Sequence, residues 1–218
     1  MNGTLVIDYY TDVLCVWAWV AQHRLDEMNR QWGDRIRLNH YYVDVFGDVA
    51  DKMAQQWAQR GGYGGFAEHV AHSAKDFDAV VHPDIWTRVR PATSGNAHLV
   101  IKAVELAFGC EASVRLALRI RKAFYESAQN IADFDVLCDL VDADGLDAEQ
   151  VRQRVRNGDA MAQLLGDYQR AKAQGIKGSP SYVLDGGRQT LYGNVGYRVI
   201  HANIEELLKR PEDEASWC

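Results

Sequence analysis

The feature that most constrains this chain is a cysteine placed where a strand gives way to a helix. Leu5, Val6 and Ile7 are apolar and partly β-branched, and they read as a short buried strand. From Trp17 onward apolar residues recur at Val20, Ala21, Leu25 and Met28, which is helical spacing and predicts a helix from about Trp17 to Gln31. Cys15 falls between the two, at or just before the first helical residue. Unpaired backbone N–H groups and the helix dipole favour a thiolate at such a position. The expected pKa is depressed, to about 3.5–7.5 against a free value of about 8.5, and Cys15 is the candidate nucleophile. The competing reading is a small buried hydrophobe, the usual fate of a free cysteine.

A second stretch weighs against that alternative. Gly175-Ile176-Lys177-Gly178-Ser179-Pro180-Ser181-Tyr182-Val183-Leu184 is a loop followed by an apolar strand. A proline at a strand entry, with two glycines just before it, suits a tight turn with a cis peptide between Ser179 and Pro180. Strand, cysteine turn and helix early, then a proline-led strand late, outline a thioredoxin-like α/β fold. Cys15-Val16-Trp17-Ala18 resembles the Cys-Pro-Trp-Cys motif of DsbA-family oxidoreductases, and Gly178-Ser179-Pro180 resembles their Gly-Val-Pro. The segment from Pro91 through Ala97 and His98 to Ala107 resembles the family's helical insert, and Ala171 to Leu184 its return to the sheet.

The resemblance implies that the proline loop packs beside Cys15 and presents the Ser179 backbone to a peptide or thiol, an edge-strand mode of recognition. It also implies that Trp17 is a contact surface for substrate beside the sulfur, with Trp19 in the core. The expected substrate-binding residues are therefore Trp17, Ser179 and Pro180. Two departures stand out: Ala18 occupies the place of the second cysteine and Val16 that of the proline. The related 2-hydroxychromene-2-carboxylate isomerases and kappa-class glutathione transferases also lack the pair, generally carry Ser at the first position, and bind glutathione.

Composition narrows the remaining choices. The chain has 218 residues, 47% hydrophobic and 25% charged, with a net charge of −6, so a nucleic-acid-binding face is not expected. No stretch approaches the ~20 apolar residues of a membrane helix. Met1-Asn2-Gly3-Thr4 lacks a basic region and the apolar run breaks at Asp8, so no signal peptide is read and the expected compartment is the cytoplasm. Of the other cysteines, Cys110 and Cys138 read as inert packing residues and Cys218 as the end of an acidic tail. None forms a Cys-x-x-Cys pair and no metal-ligand spacing appears. No tightly bound cofactor is expected, and glutathione is a candidate cosubstrate. The expected partners are protein or small-molecule thiols and disulfides, with the chain acting as a monomer or homodimer.

Residues 35–43 alternate as a second strand, with Ile36, Leu38 and Tyr41 assigned to one face. The stretch from Asp44 to about Gln174 reads as helices, including 49–60, 66–76, 95–108 and 114–124. Gly61-Gly62-Tyr63-Gly64-Gly65 reads as at most a mobile loop, without the Gly-Lys-Ser/Thr of a phosphate loop. Asp147 opens a capping box, Asp159 is read as a helix cap, and Gly175 as that helix's stop. Ser181–Leu184 and Gln189–Tyr192 form a hairpin, and an amphipathic helix follows from Tyr197 to Lys209, ended by Pro211. The expected organisation is a thioredoxin-like domain of 1–44 and 175–218 split by an all-helical insertion of 45–174. Asp12 reads as a turn cap, and Arg88 and Arg90 as surface charges or as partners for a substrate carboxylate. His40, His69, His72, His82 and His98 have no readable pairing.

Three functional classes fit these features. The first is thiol-disulfide exchange through Cys15, with an external thiol replacing the missing second cysteine. The second is a glutathione-dependent isomerase or transferase. The third is a thioredoxin-fold binding module without catalysis.

Overall fold

The structure, a computed structural model, describes residues 4–209. The strand read at the start of the chain is β1, Leu5–Thr11, buried along nearly its whole length as a central strand must be. It pairs in parallel with β2, Ile36–Tyr42, and antiparallel with β3, Ser181–Leu184, which in turn pairs antiparallel with β4, Gln189–Tyr192. The sheet order is β2-β1-β3-β4. This is the expected thioredoxin-like α/β fold.

The helix expected over 17–31 is two helices, α1 (Val16–Val20) and α2 (Gln22–Trp32), parted at Ala21 where ψ is −9°. The two serve different cores. Val16, Trp19 and Val20 of α1 pack with the helical layer, whereas Leu25, Met28 and Trp32 of α2 pack with Leu5, Ile7 and Tyr9 on one face of the sheet. Ile36 and Leu38 share that face, but Tyr41 packs on the opposite one with Tyr10 and Val183, as strand alternation requires of an odd position.

Between β2 and β3 the chain is largely helical, as read, except for an irregular stretch over 76–94. α3 (Val49–Lys52) runs on through a π-wound segment at Met53–Trp57 and a 3-10 turn at Ala58–Arg60. Then come α4 (Gly62–Lys75), α5 (Gly95–Phe108), α6 (Cys110–Tyr125), α7 (Phe134–Ala143), α8 (Ala148–Arg156) and α9 (Asp159–Ala173). After the hairpin, α10 (Tyr197–Lys209) covers the α2 side of the sheet through Ile200, Ile204 and Leu207. No helix among the described residues is long and apolar enough to cross a membrane.

The glycine run corrects the reading of a mobile loop. Gly61 (φ +88°) caps α4 and the next glycines form its first turn. A Cβ on Gly65 would lie 1.8 Å from the Arg60 carbonyl oxygen, so close backbone approach, not mobility, explains that residue. Asp147 caps α8 through the Glu149 and Gln150 N–H groups, as read. Asp159 is the first residue of α9, one place past its cap, because Gly158 takes the left-handed cap position (φ +85°). Gly175 (φ +68°) follows α9 as its stop. Pro211 and Cys218 lie outside the described residues.

Candidate active site

Cys15 sits in the extended conformation immediately ahead of α1 and is 6% exposed. Its Sγ donates to the Ser179 carbonyl oxygen at 3.0 Å, and the Ser179–Pro180 peptide is cis. Ser179 is tied to the same turn a second time, its Oγ accepting from the Asp12 N–H at 2.9 Å. Residues 15 and 179–180 therefore form one site, assembled because β1 and β3 are neighbours in the sheet and both loops leave the same end. Trp17 is half-buried, its ring near those of His69 (6.3 Å) and Phe77 (6.4 Å). Trp19 is in the core, stacked on Tyr125 at 5.3 Å and donating to the Val80 carbonyl.

The expected acidic thiol is not what this environment produces. Burial pushes the Cys15 pKa above its ordinary value, and the charge of Asp12 acts in the same direction. A hydrogen bond from Ser179 and the N–H groups of Ala18 and Trp17 pull it down, but they do not offset burial. A helix terminus acidifies a cysteine that water can reach. Here the helix has five residues and the sulfur is enclosed, so desolvation wins.

Beneath the thiol lies a buried polar layer. Asp12 is fully buried, as are Ser94 and His98. Asp12 accepts from Leu14 N (2.9 Å), which is the turn cap read from the sequence, and also from Phe46 N (2.8 Å) and Ser94 Oγ (2.9 Å). His98 Nε2 accepts from Val13 N at 3.2 Å, so the ring is neutral there, and burial lowers its pKa to about 3. Tyr125 donates to the Leu14 carbonyl at 2.7 Å and Arg121 to Thr11 Oγ1 at 2.7 Å. These contacts span about 30 to 110 positions and bolt the cysteine turn to α5 and α6. Short-range spacing carries no signal for them, so all but the Asp12 cap were missed.

Arg88 and Arg90 do not join the site in this structure. Arg88 is exposed and 3.8 Å from Asp84, and Arg90 donates to the Trp86 carbonyl with its guanidinium over the Tyr63 ring. A cleft of roughly 570 Å³ opens beside the proline loop, with Ile176 and Lys177 on one side and Val43, Lys52 and Lys172 on others. Among the described residues no three His, Cys, Asp or Glu side chains cluster as a metal site.

No curated protein matches this chain in sequence. Solved structures match it in fold. A Nitrosomonas europaea protein provisionally assigned as a protein disulfide isomerase superposes with a TM-score of 0.80 at 16% identity, over 96% of this chain and 100% of its own. The cytosolic disulfide reductase DsbM from Pseudomonas aeruginosa, solved with GSH, gives 0.70 at 20% identity over 94% and 100%. A 2-hydroxychromene-2-carboxylate isomerase gives 0.66 at 15% identity over 97% and 100%. In sequence, residues 6–205 match the DSBA-like thioredoxin domain. With the cysteine turn and cis-proline loop joined on that fold, this chain belongs to the DSBA-like thioredoxin domain family.

Proposed function

We propose that this protein is a thiol-disulfide oxidoreductase or isomerase acting through the single thiol of Cys15, with glutathione or another external thiol as cosubstrate. The observation that carries the reading is the 3.0 Å contact between Cys15 Sγ and the Ser179 carbonyl of the proline loop, with Ala18 in place of a second thiol. A substrate N–H that pairs with the Ser179 carbonyl takes away the acceptor of the Cys15 thiol. The thiol then loses its proton to solvent, and the N–H groups ahead of α1 stabilise the thiolate.

The thiolate attacks one sulfur of a disulfide R–S–S–R′. The S–S bond breaks, R′S⁻ leaves and takes up a proton, and Cys15 is held in a mixed disulfide with R. A second thiol, R″SH, deprotonates and attacks the R sulfur, and Cys15 departs as thiolate. The sum is R–S–S–R′ + R″SH → R–S–S–R″ + R′SH, with the enzyme unchanged. Two thiols of one substrate make this an isomerisation, and glutathione as R″SH makes it a glutathionylation. Lys52, Lys172 and Lys177, around the cleft beside the proline loop, offer positive charge to the carboxylates of glutathione. The reducing cytoplasm, which supplies that thiol, is the compartment this reading assigns.

The buried, hydrogen-bonded thiol favours a second reading, a glutathione-dependent isomerase or transferase. In it the Cys15 S–H stays protonated and donates to the glutathione sulfur. Mass spectrometry after incubation with oxidised glutathione separates the alternatives. A glutathione adduct on Cys15, absent from Cys15→Ser, supports the exchange mechanism. Saturable binding of reduced glutathione without an adduct supports the isomerase or transferase. Neither adduct nor binding ends both and leaves the non-catalytic module.

A further inference from the structure

Exchange at Cys15 requires a thiolate, yet burial holds the thiol above its ordinary pKa and Asp12 beneath it adds a negative charge. The N–H groups ahead of α1 stabilise that thiolate from one side. Lys52 supplies a full positive charge from another. It is the last residue of α3 and lines the cleft beside the proline loop, with Ile176 and Lys177. It also lines a second cavity of roughly 610 Å³, which shares Asp44, Val45, Gln56 and Tyr168 with the first. Of the three lysines around that cleft, Lys172 and Lys177 are exposed and Lys52 is half-buried.

The Lys52 ammonium lies 4.8 Å from the centre of the Phe46 ring. The Phe46 N–H donates to Asp12, and the same carboxylate accepts from Leu14, the residue before Cys15. The cation is therefore seated on the segment that closes beneath the cysteine turn. Its charge is not cancelled there. Lys52 Nζ donates to the neutral Gln56 Oε1 at 3.2 Å and makes no ion pair among the described residues. The acids beside it in sequence are engaged with other groups: Asp48 caps α3 at the Asp51 N–H, and Asp51 accepts from Gln55. Lys102, by contrast, is paired with Glu105 at 2.8 Å and Asp167 at 3.0 Å. Burial lowers the Lys52 pKa, and the negative charges that oppose this are those of Asp12 and Cys15. Other titratable groups packed around the thiol add no charge beside it. Burial keeps Tyr9 of β1 and Tyr125 of α6 neutral, as it does His98 of α5 and Tyr168 of α9. Arg121 of α6 donates to Thr11, and its charge acts on Asp12.

We propose that Lys52 is the counter-charge of the Cys15 thiolate, a positioning residue that Gln56 holds in the cleft beside the proline loop. The proposal rests on the exchange reading. Once a substrate N–H takes the Ser179 carbonyl, the Cys15 proton passes to solvent and the negative charge left on sulfur lies in the field of the Lys52 ammonium. Lys52 stays protonated throughout, and the same field favours Cys15 as the departing thiolate in the second exchange. Water is partly excluded at Lys52, so its charge is less screened than that of Lys172 or Lys177.

The test is the pH dependence of Cys15 alkylation, read at that residue by peptide mass spectrometry in the full chain. Lys52→Met removes the charge and should raise the Cys15 midpoint by about 0.5–1. At pH 7.5 the rate should fall about two- to fourfold, because the greater nucleophilicity of a more basic thiolate returns part of the lost thiolate fraction. Lys52→Arg keeps the charge and should keep the midpoint. Lys52→Gln, polar and uncharged, should behave as Lys52→Met does, and it serves if a methionine disturbs the cleft. The exposed Cys110 is the internal reference, and its rate should not change. An unchanged Cys15 midpoint in the uncharged variants overturns the proposal. So does a midpoint that rises equally in Lys52→Arg, since shape rather than charge would then be the cause. Incubation with oxidised glutathione reads the exchange reaction separately. A shifted midpoint without any wild-type adduct sinks the exchange reading and leaves the Lys52 charge effect standing; an adduct with an unshifted midpoint does the reverse.

Discussion

Replacing Asp12 by Asn separates the burial of a charge from the hydrogen bonds that the charge accepts. Asp12 is enclosed beneath the cysteine turn, with donors from Leu14, Phe46 and Ser94. Burial outweighs those donors and raises its pKa to about 6. An unfolded aspartate titrates near about 3.9. Between those values the folded state holds the proton more tightly than the unfolded one. The linked stability is therefore fully present below about pH 4 and lost as the pH rises through 6, a difference of two units or about 3 kcal/mol. An amide does not titrate, so the variant lacks this slope. It keeps one acceptor oxygen but turns its amino group toward the other donors, and a buried donor left without an acceptor costs about 1–3 kcal/mol. Asp12→Asn should thus destabilise by about 1–3 kcal/mol at pH 4 and be neutral to about 2 kcal/mol stabilising at pH 7.5. Urea denaturation of both proteins from pH 4 to 7.5 measures this directly. A ΔΔG constant across that range would refute the argument, because it would mean that the three donors offset the burial and Asp12 ionises as it does unfolded.

The raised Cys15 pKa predicts slow alkylation of Cys15 near neutrality, followed at that residue by peptide mass spectrometry because Cys110 is an exposed free thiol, with a rate that climbs above the free-thiol midpoint of about 8.5. A midpoint at or below the free value would show that the helix donors overcome burial. Asp12→Asn should move that midpoint down, since the Asp12 charge is one of its causes. Ala18→Cys places a second thiol within the first turn after Cys15, so the variant should oxidise a dithiol without added glutathione whereas wild type requires it. If wild type turns over alone and Cys218→Ser abolishes that activity, Cys218 is the resolving thiol and the one-thiol mechanism is wrong. Gly65→Ala forces a Cβ against the Arg60 carbonyl and should destabilise by about 1–3 kcal/mol in thermal unfolding. The control Gly64→Ala, in the same helical turn with open space, should stabilise by up to about 1 kcal/mol.

By itself the sequence determined the elements and their order. The apolar run of β1, the periodicity of α6 and α10 and the cap at Asp147 are local patterns, carried by neighbours within a few positions. The pairing of Cys15 with the Ser179-Pro180 loop was also legible, because two sequence motifs of one known fold stood at its two ends. Tertiary structure decided the rest. The break at Ala21 exists because α1 and α2 belong to different cores, a division that only their packing partners set. The acidity of Cys15 was read from its place on a helix, but a pKa is set by everything that surrounds the sulfur. The enclosing residues come from remote parts of the chain, and their removal of water outweighs the local donors. Arg121 makes the same point from the other side. In sequence it is one arginine on an amphipathic helix; only the fold turns it inward to Thr11, 110 residues away, where its charge acts on the buried Asp12. Charge compensation is a property of three-dimensional neighbours, and no spacing along the chain records it.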